Sequence, residues 1–345
     1  MAFFDLNQQP LPVLFLILAG AGALVWYSGT RIVRYIATIA QRTNIGQAFA
    51  GMLLLGGVTS LPEAATAVTA ASRGNALLTV NDLLGSASVN LVLLAVGDFF
   101  YGRDALTSVA GRPVTLMQGT LGMILLAGVG FSVAVTDPVI PLVGAGLTTL
   151  ILAAACLQAL RISRRFERTE IWKLVTPAKD EPAEPDNLAF GNARLAVHTA
   201  AAAVAILIGG ATLAITGDAI AETTGLGGSI VGFTLLAFST SLPELSSVLA
   251  ALRLGRHQMA IGDIFGTNLF NIQILFVADL VYREGALLNA AGSFEVAASC
   301  LAVVLTGIFL VGLLERRNRT VGRIGTDSAL VLITYVGGLA ALSQI

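Results

Sequence analysis

Charge is scarce in this chain: charged residues make up 12% of 345 positions, against 55% apolar ones. Soluble domains carry about twice that charged share, so a water-soluble globule is excluded. Mean hydropathy is +0.82. The net charge of −1 leaves no basic excess for a nucleic-acid partner. Cysteine is nearly absent. Cys156 and Cys300 both fall inside apolar stretches, which gives neither a disulfide framework nor a thiolate metal site. The two histidines, His198 and His257, stand at the edges of such stretches, so imidazole is missing from their interiors. No Walker A pattern and no soluble module is visible, so nucleotide-driven work and enzyme chemistry have no support. The first residues, MAFFDLNQQPLP, lack the basic n-region of a cleaved signal, and the first apolar run is read as a retained helix.

Long apolar runs are what the chain has in excess. Windows of about 20 apolar residues give ten spans, 11–40, 45–72, 76–100, 113–135, 138–160, 195–221, 226–252, 257–281, 286–313 and 324–344. The reading is an all-α integral membrane protein with the lipid bilayer as its solvent. Loop Arg and Lys collect in the odd-numbered connections, from Arg42 to Arg323, while the even ones hold only Arg73 and Arg283. The positive-inside rule then puts both termini outside and the central loop in the cytoplasm. That loop, 161–194, is the one clear break in composition and is read as a cytoplasmic linker between 1–160 and 195–345. Its RISRRFER start is a candidate to lie on the inner leaflet.

One stretch occurs twice. Residues 56–98 align without a gap on 237–279 at an offset of 181, and thirteen of the 43 pairs are identical. Chance in so apolar a composition gives roughly four or five, and the identities collect at polar positions. They include Thr59/Thr240, Ser60/Ser241, Pro62/Pro243, Glu63/Glu244, Gly74/Gly255, Asp82/Asp263, Gly85/Gly266 and Asn90/Asn271. Five spans per copy is an odd number, so the second copy enters the membrane from the opposite side. The expected architecture is two inverted five-helix repeats, an arrangement in which broken helices meet at a midplane site.

The repeated polar groups suit a cation. A carboxylate inside a bilayer is expensive and functional by default, and Glu63 and Glu244 occupy matched positions. Pro62 and Pro243 each remove a backbone donor and break their helices, freeing carbonyls near Val58 and Ser239. In the following span Asp82, Ser86 and Asn90 stand at i, i+4 and i+8, and Asp263, Thr267 and Asn271 repeat that stripe. Every donor is oxygen, which favours hard cations such as calcium, sodium or magnesium. Taken singly, a Ser or Thr in a membrane helix bonds its own backbone and a lone Pro or Gly shapes the helix; the two buried acids are what turn the set toward function. Asp82 and Asp263 line an access path or pair structurally. Asp98 and Asp279, at the ends of their spans, read as solvated.

The paired TSLPE segments, each followed by an Asp-x-x-Gly-Ser/Thr-x-x-x-Asn stretch, resemble the alpha repeats of the cation/calcium exchanger superfamily, in its prokaryotic sodium/calcium exchanger branch. The resemblance implies alternating access without a cofactor, with Ca2+ and Na+ as the transported ions and a monomer sufficient for transport in a prokaryotic inner membrane. It implies a calcium site of Glu63, Glu244, Thr59 and Thr240 with carbonyls near Gly56 and Ala237. Sodium sites would use Ser60, Ser241, Ser86, Thr267 and the same carbonyls, with Asn90 and Asn271 central. The chain departs from the pattern at Asp82 and Asp263, which add two carboxylates, and at Ala87, where Asn is usual. Potassium-co-transporting relatives have Asp at the position of Asn271. The alternatives are proton coupling through these acids, an aspartyl-protease dyad of Asp82 and Asp263, and a gated channel.

Overall fold

The structure is a computed structural model that describes residues 9–102, 104–141, 143–169, 190–224 and 237–345. The start of the span expected at 226–252 and most of the 161–194 linker lie outside the described residues. Apart from one two-stranded hairpin, β1 (Thr320–Val321) with β2 (Ile324–Gly325), the described chain is helical. The helices are α1 (Leu11–Thr43), α2 (Gln47–Thr59), α3 (Leu61–Ser72), α4 (Ala76–Tyr101), α5 (Leu106–Ala110), α6 (Pro113–Ala134) and α7 (Leu147–Thr169). They continue with α8 (Asn192–Thr224), α9 (Ala237–Thr240), α10 (Leu242–Arg253), α11 (His257–Val281), α12 (Ser293–Glu315) and α13 (Thr326–Leu342). Among the described residues seven helices are long and apolar enough to cross a bilayer, and the bent pair α2–α3 makes an eighth span if counted as one. Helix bounds recur at the repeat offset: α1 and α8, α3 and α10, and the starts of α4 and α11 are each 181 residues apart.

The protein is apolar outside and polar within. Phe15, Leu16, Ile124, Phe131, Val197, Val311 and Ile333 are exposed, whereas Glu63, Asp82, Asn90, Glu244, Asp263 and Thr267 are buried. That inversion is what a lipid solvent selects, since polar groups at this depth need protein or cavity neighbours. The chain is an integral membrane protein.

Helix α2 is not regular. A π-helical stretch, Gly51–Leu55, widens it before the 47° bend into α3. Gly51 and Gly56 bracket that stretch and press it against α11: a Cβ at Gly56 would lie 2.8 Å from the Thr267 amide nitrogen, and one at Gly266 would lie 2.2 Å from the Met52 carbonyl oxygen. Backbone meets backbone there, so a methyl has no room. Helix α1 packs along α8. Arg42 near the end of α1 donates to Asn192 Oδ1 (2.7 Å) and the Phe190 carbonyl (2.8 Å) at the start of α8, stapling the two.

Two expectations are corrected. The fifth span was placed at 138–160, but α7 starts at Leu147 and runs to Thr169, so RISRRFER is helix rather than linker. The apolar stretch before it contains Pro138 and Pro141 and a left-handed Gly144 (φ 73°), and it forms a turn closed by a Val139–Gly146 bridge. Asp137 accepts from the Thr148 amide (2.9 Å) and hydroxyl (2.6 Å), which fixes the new helix start. Asp98 and Asp279, read as solvated, are buried clamps. Asp98 accepts from the amides of Leu106 and Gly325, both at 2.7 Å; Asp279 accepts from those of Leu287 and Gly146, again at 2.7 Å, and from the Thr149 hydroxyl. Each ties the C-terminal end of a long helix to a distant loop and offsets an unfavourable position against the helix dipole. Asp279→Ala strands these buried donors, at about 1–3 kcal/mol each. The expected result is a thermal midpoint lowered by several degrees in detergent, read by a thermal melt of the purified protein against wild type.

Candidate ion-binding site

Helices α3 and α10 each begin inside the protein. Pro62 and Pro243 take early helical positions, where no backbone donor is needed, and Glu63 and Glu244 follow in the first turn. There the helix dipole favours a negative charge. Both side chains are fully buried and close enough to repel one another when charged. The stripe residues of α4 and α11 close the site, none of them more than 3% exposed.

Contacts repeat with the halves exchanged. The Thr59 hydroxyl lies 3.3 Å from that of Thr267, and the Ser86 hydroxyl lies 3.4 Å from that of Thr240, each residue 181 positions from its counterpart. The Asn271 side-chain amide donates to the Leu83 carbonyl (3.3 Å), and that of Asn90 donates to Asn268 Oδ1 (2.9 Å). Asn268 in turn donates to the Ala87 carbonyl (3.3 Å). With their N–H groups spent on neighbouring helices, Asn90 and Asn271 keep their carboxamide oxygens unbonded.

The decisive feature is a surplus of acceptors. Both carboxylate oxygens of Glu63, Glu244 and Asp82, together with Oδ1 of Asn90 and Asn271, are buried without a hydrogen-bond partner, as is the Ser241 hydroxyl. The backbones of Glu63 and Glu244, and the Thr59 hydroxyl beside Glu244, come near but miss hydrogen-bond geometry. Acceptors buried together without donors cost several kcal/mol, and a positive ion is the natural complement. No three acidic, histidine or cysteine side chains converge tightly among the described residues. Cations here would therefore be shared among carboxylates, hydroxyls, carboxamides and carbonyls.

Other expected ligands are occupied. The Gly56 carbonyl accepts from the Ser60 amide (3.0 Å) and hydroxyl (2.6 Å), so it must shed a partner to reach an ion. The Thr59 hydroxyl is within 3.2 Å of Asp263 Oδ1 and 3.1 Å of the Leu55 carbonyl. Ala237 opens α9, and its surroundings fall outside the described residues. Ser247 was not anticipated: its hydroxyl donates to Asp263 Oδ2. Its repeat counterpart, Thr66, also carries a hydroxyl, and that match was the available signal.

The sodium/calcium exchanger protein family matches residues 13–170 and again 195–343, once in each half. The chain belongs to that family. It is a transporter, not an enzyme, and the aspartyl-protease reading falls; Asp263 is bonded to Ser247 and Thr59 instead. CaxA of Alkalimonas amylolytica is 27% identical over 326 residues, covering 93% of this chain and 95% of that protein. The inner membrane protein YrbG of Escherichia coli K12 is 26% identical, covering 92% and 95%. A sodium-calcium exchanger structure, NCX_Mj soaked with sodium and strontium, superposes with a TM-score of 0.69 at 18% identity, covering 94% of this chain and 98% of that one. The exchanger fold is therefore shared along nearly the whole length.

Proposed function

We propose that this protein is a secondary antiporter that exchanges Ca2+ for Na+ across the membrane by alternating access. The observation that carries the reading is the buried, donor-free set of acceptor oxygens drawn from matched positions of the two halves. Glu63 and Glu244 bind the divalent ion, with Thr59, Thr240 and the Gly56 and Ala237 carbonyls completing its shell. Ser60, Ser241, Ser86 and Thr267 serve sodium, and Asn90 and Asn271 face the centre. Two carboxylates neutralise one divalent ion or share several monovalent ones, so the cargoes compete for the same charge. Supporting the choice of ions, the exchanger MaX1 of Methanosarcina acetivorans, named for sodium and calcium, is 41% identical over 63 residues, 18% of each chain.

The remaining architecture belongs to the same proposal: ten spans in two inverted five-helix halves, both termini outside, the central loop cytoplasmic, and a monomer competent in a prokaryotic inner membrane. Proton coupling is the second reading, and the extra buried acid Asp82 is what favours it. Purified protein in liposomes decides between them. An imposed sodium gradient should drive calcium uptake at a rate at least tenfold above a pH gradient of equal size. Uptake that follows pH and ignores sodium overturns the sodium reading.

A further inference from the structure

Asp82 and Asp263 hold equivalent sequence positions, 19 residues after Glu63 and Glu244 respectively (82−63 = 263−244), yet the structure treats them differently. Asp263 is engaged at both oxygens, accepting from the Ser247 hydroxyl at Oδ2 and from the Thr59 hydroxyl (3.2 Å) at Oδ1. Asp82 is just as buried, but neither oxygen has a hydrogen-bond partner. Thr240, the counterpart of Thr59, lies beside Asp82, and its hydroxyl is 3.4 Å from that of Ser86. The neighbouring Asn81 Oδ1 is a further buried acceptor without a donor. Glu63, itself unpartnered, lies near enough to Asp82 to repel it, and among the described residues no basic side chain acts on either.

Charge completes the inference. Glu63 and Glu244 together balance one divalent cation. Asp82 adds one more buried negative charge, which that ion leaves uncompensated and which a bilayer interior does not tolerate cheaply. In the second half the matching carboxylate is stabilised by the Ser247 and Thr59 hydroxyls, which reach both of its oxygens. We propose that Asp82, with Glu63, holds a monovalent cation in a subsite that exists only in the first half. Asp263 is then a positioning residue that fixes Thr59 beside Glu244. This rests on the antiport reading above and adds that the divalent ion shares the cage with a single positive charge.

Equilibrium binding to the full chain in detergent tests it. Sodium is titrated calorimetrically at fixed pH, with potassium in a parallel series, and calcium is titrated at saturating sodium. Asp82→Asn should lower the sodium Hill coefficient by about one and weaken sodium binding tenfold or more. Asp263→Asn should weaken binding without changing the number of ions. If Asp82→Asn does not purify as a monodisperse species, Asp82→Glu keeps the charge and should retain the full ion count at lower affinity. Potassium reproducing the Asp82-dependent step supports the subsite with that ion as occupant. An unchanged sodium count in Asp82→Asn, the same loss in Asp263→Asn, or a step that follows pH but neither alkali ion overturns the proposal. Because the readout is ion number rather than flux, failure here is distinct from failure of calcium transport in the wild type.

Discussion

Glu63→Gln and Glu244→Gln each abolish measurable calcium exchange, while both proteins stay folded and gain thermal stability in the absence of ions. The two halves of that result have one cause. In the ion-free protein the two buried acids lie close enough to repel when charged, and their oxygens have no hydrogen-bond donors. Neutralising one relieves strain in the empty state, as replacing a buried uncompensated charge commonly does. In the loaded state the same change removes half the charge that faces a divalent cation. Losing one partner of a buried pair costs about 3–5 kcal/mol, or roughly two to three and a half orders of magnitude in affinity. Calcium uptake and thermal midpoint, measured on the same preparation, check both parts. A variant that loses transport by unfolding, or one that still transports, contradicts the assignment.

The second large effect is expected at two helix crossings beside the paired acids. Gly29 of α1 and Gly210 of α8 stand 181 residues apart and each rests on the opposite half's broken helix. A Cβ at Gly29 would fall 1.8 Å from the Ser246 hydroxyl oxygen and 3.4 Å from the Pro243 carbonyl oxygen; one at Gly210 would fall 2.2 Å from Pro62 Cγ. Neither methyl fits. Overpacking of this kind costs about 1–3 kcal/mol, which the better helix propensity of alanine offsets by about 1 kcal/mol. The remainder falls on whichever conformation makes the contact, so Gly29→Ala and Gly210→Ala shift the balance between transport states. Turnover should drop by up to about thirtyfold, the factor that about 2 kcal/mol is worth, with calcium affinity kept within threefold. Flux and equilibrium calcium binding separate the two quantities, and a parallel loss of both would mean the contact merely holds the site together.

The parts of this site that the sequence displays are those encoded locally and written twice. Glu63 and Glu244 are legible because a buried acid has few innocent explanations and the copy removes chance. Gly74 and Gly255 are matched for a physical reason as well: both adopt left-handed backbone angles, φ 78° and 67°, where a side chain is strained. What stays hidden depends on partners remote in the chain. Asp98 looks solvated until the Gly325 amide arrives from 227 residues away. The π-helical Gly51–Leu55 is invisible because an apolar run reads alike whether it winds tightly or loosely. Asp82 and Asp263 cannot be told apart by spacing, since the difference is made by the Ser247 and Thr59 hydroxyls, which reach the second acid and have no closed equivalent at the first.

The Arg42 staple between α1 and α8 bears on leakage. Those two helices come from different halves of the chain, yet a guanidinium binds the end of one to the beginning of the other. On the exchange reading proposed above, helices fastened in this way would move together rather than one half at a time. A continuous aqueous passage would then require this fastening to part, which would make leakage depend on a contact at the helix ends as well as on the cage.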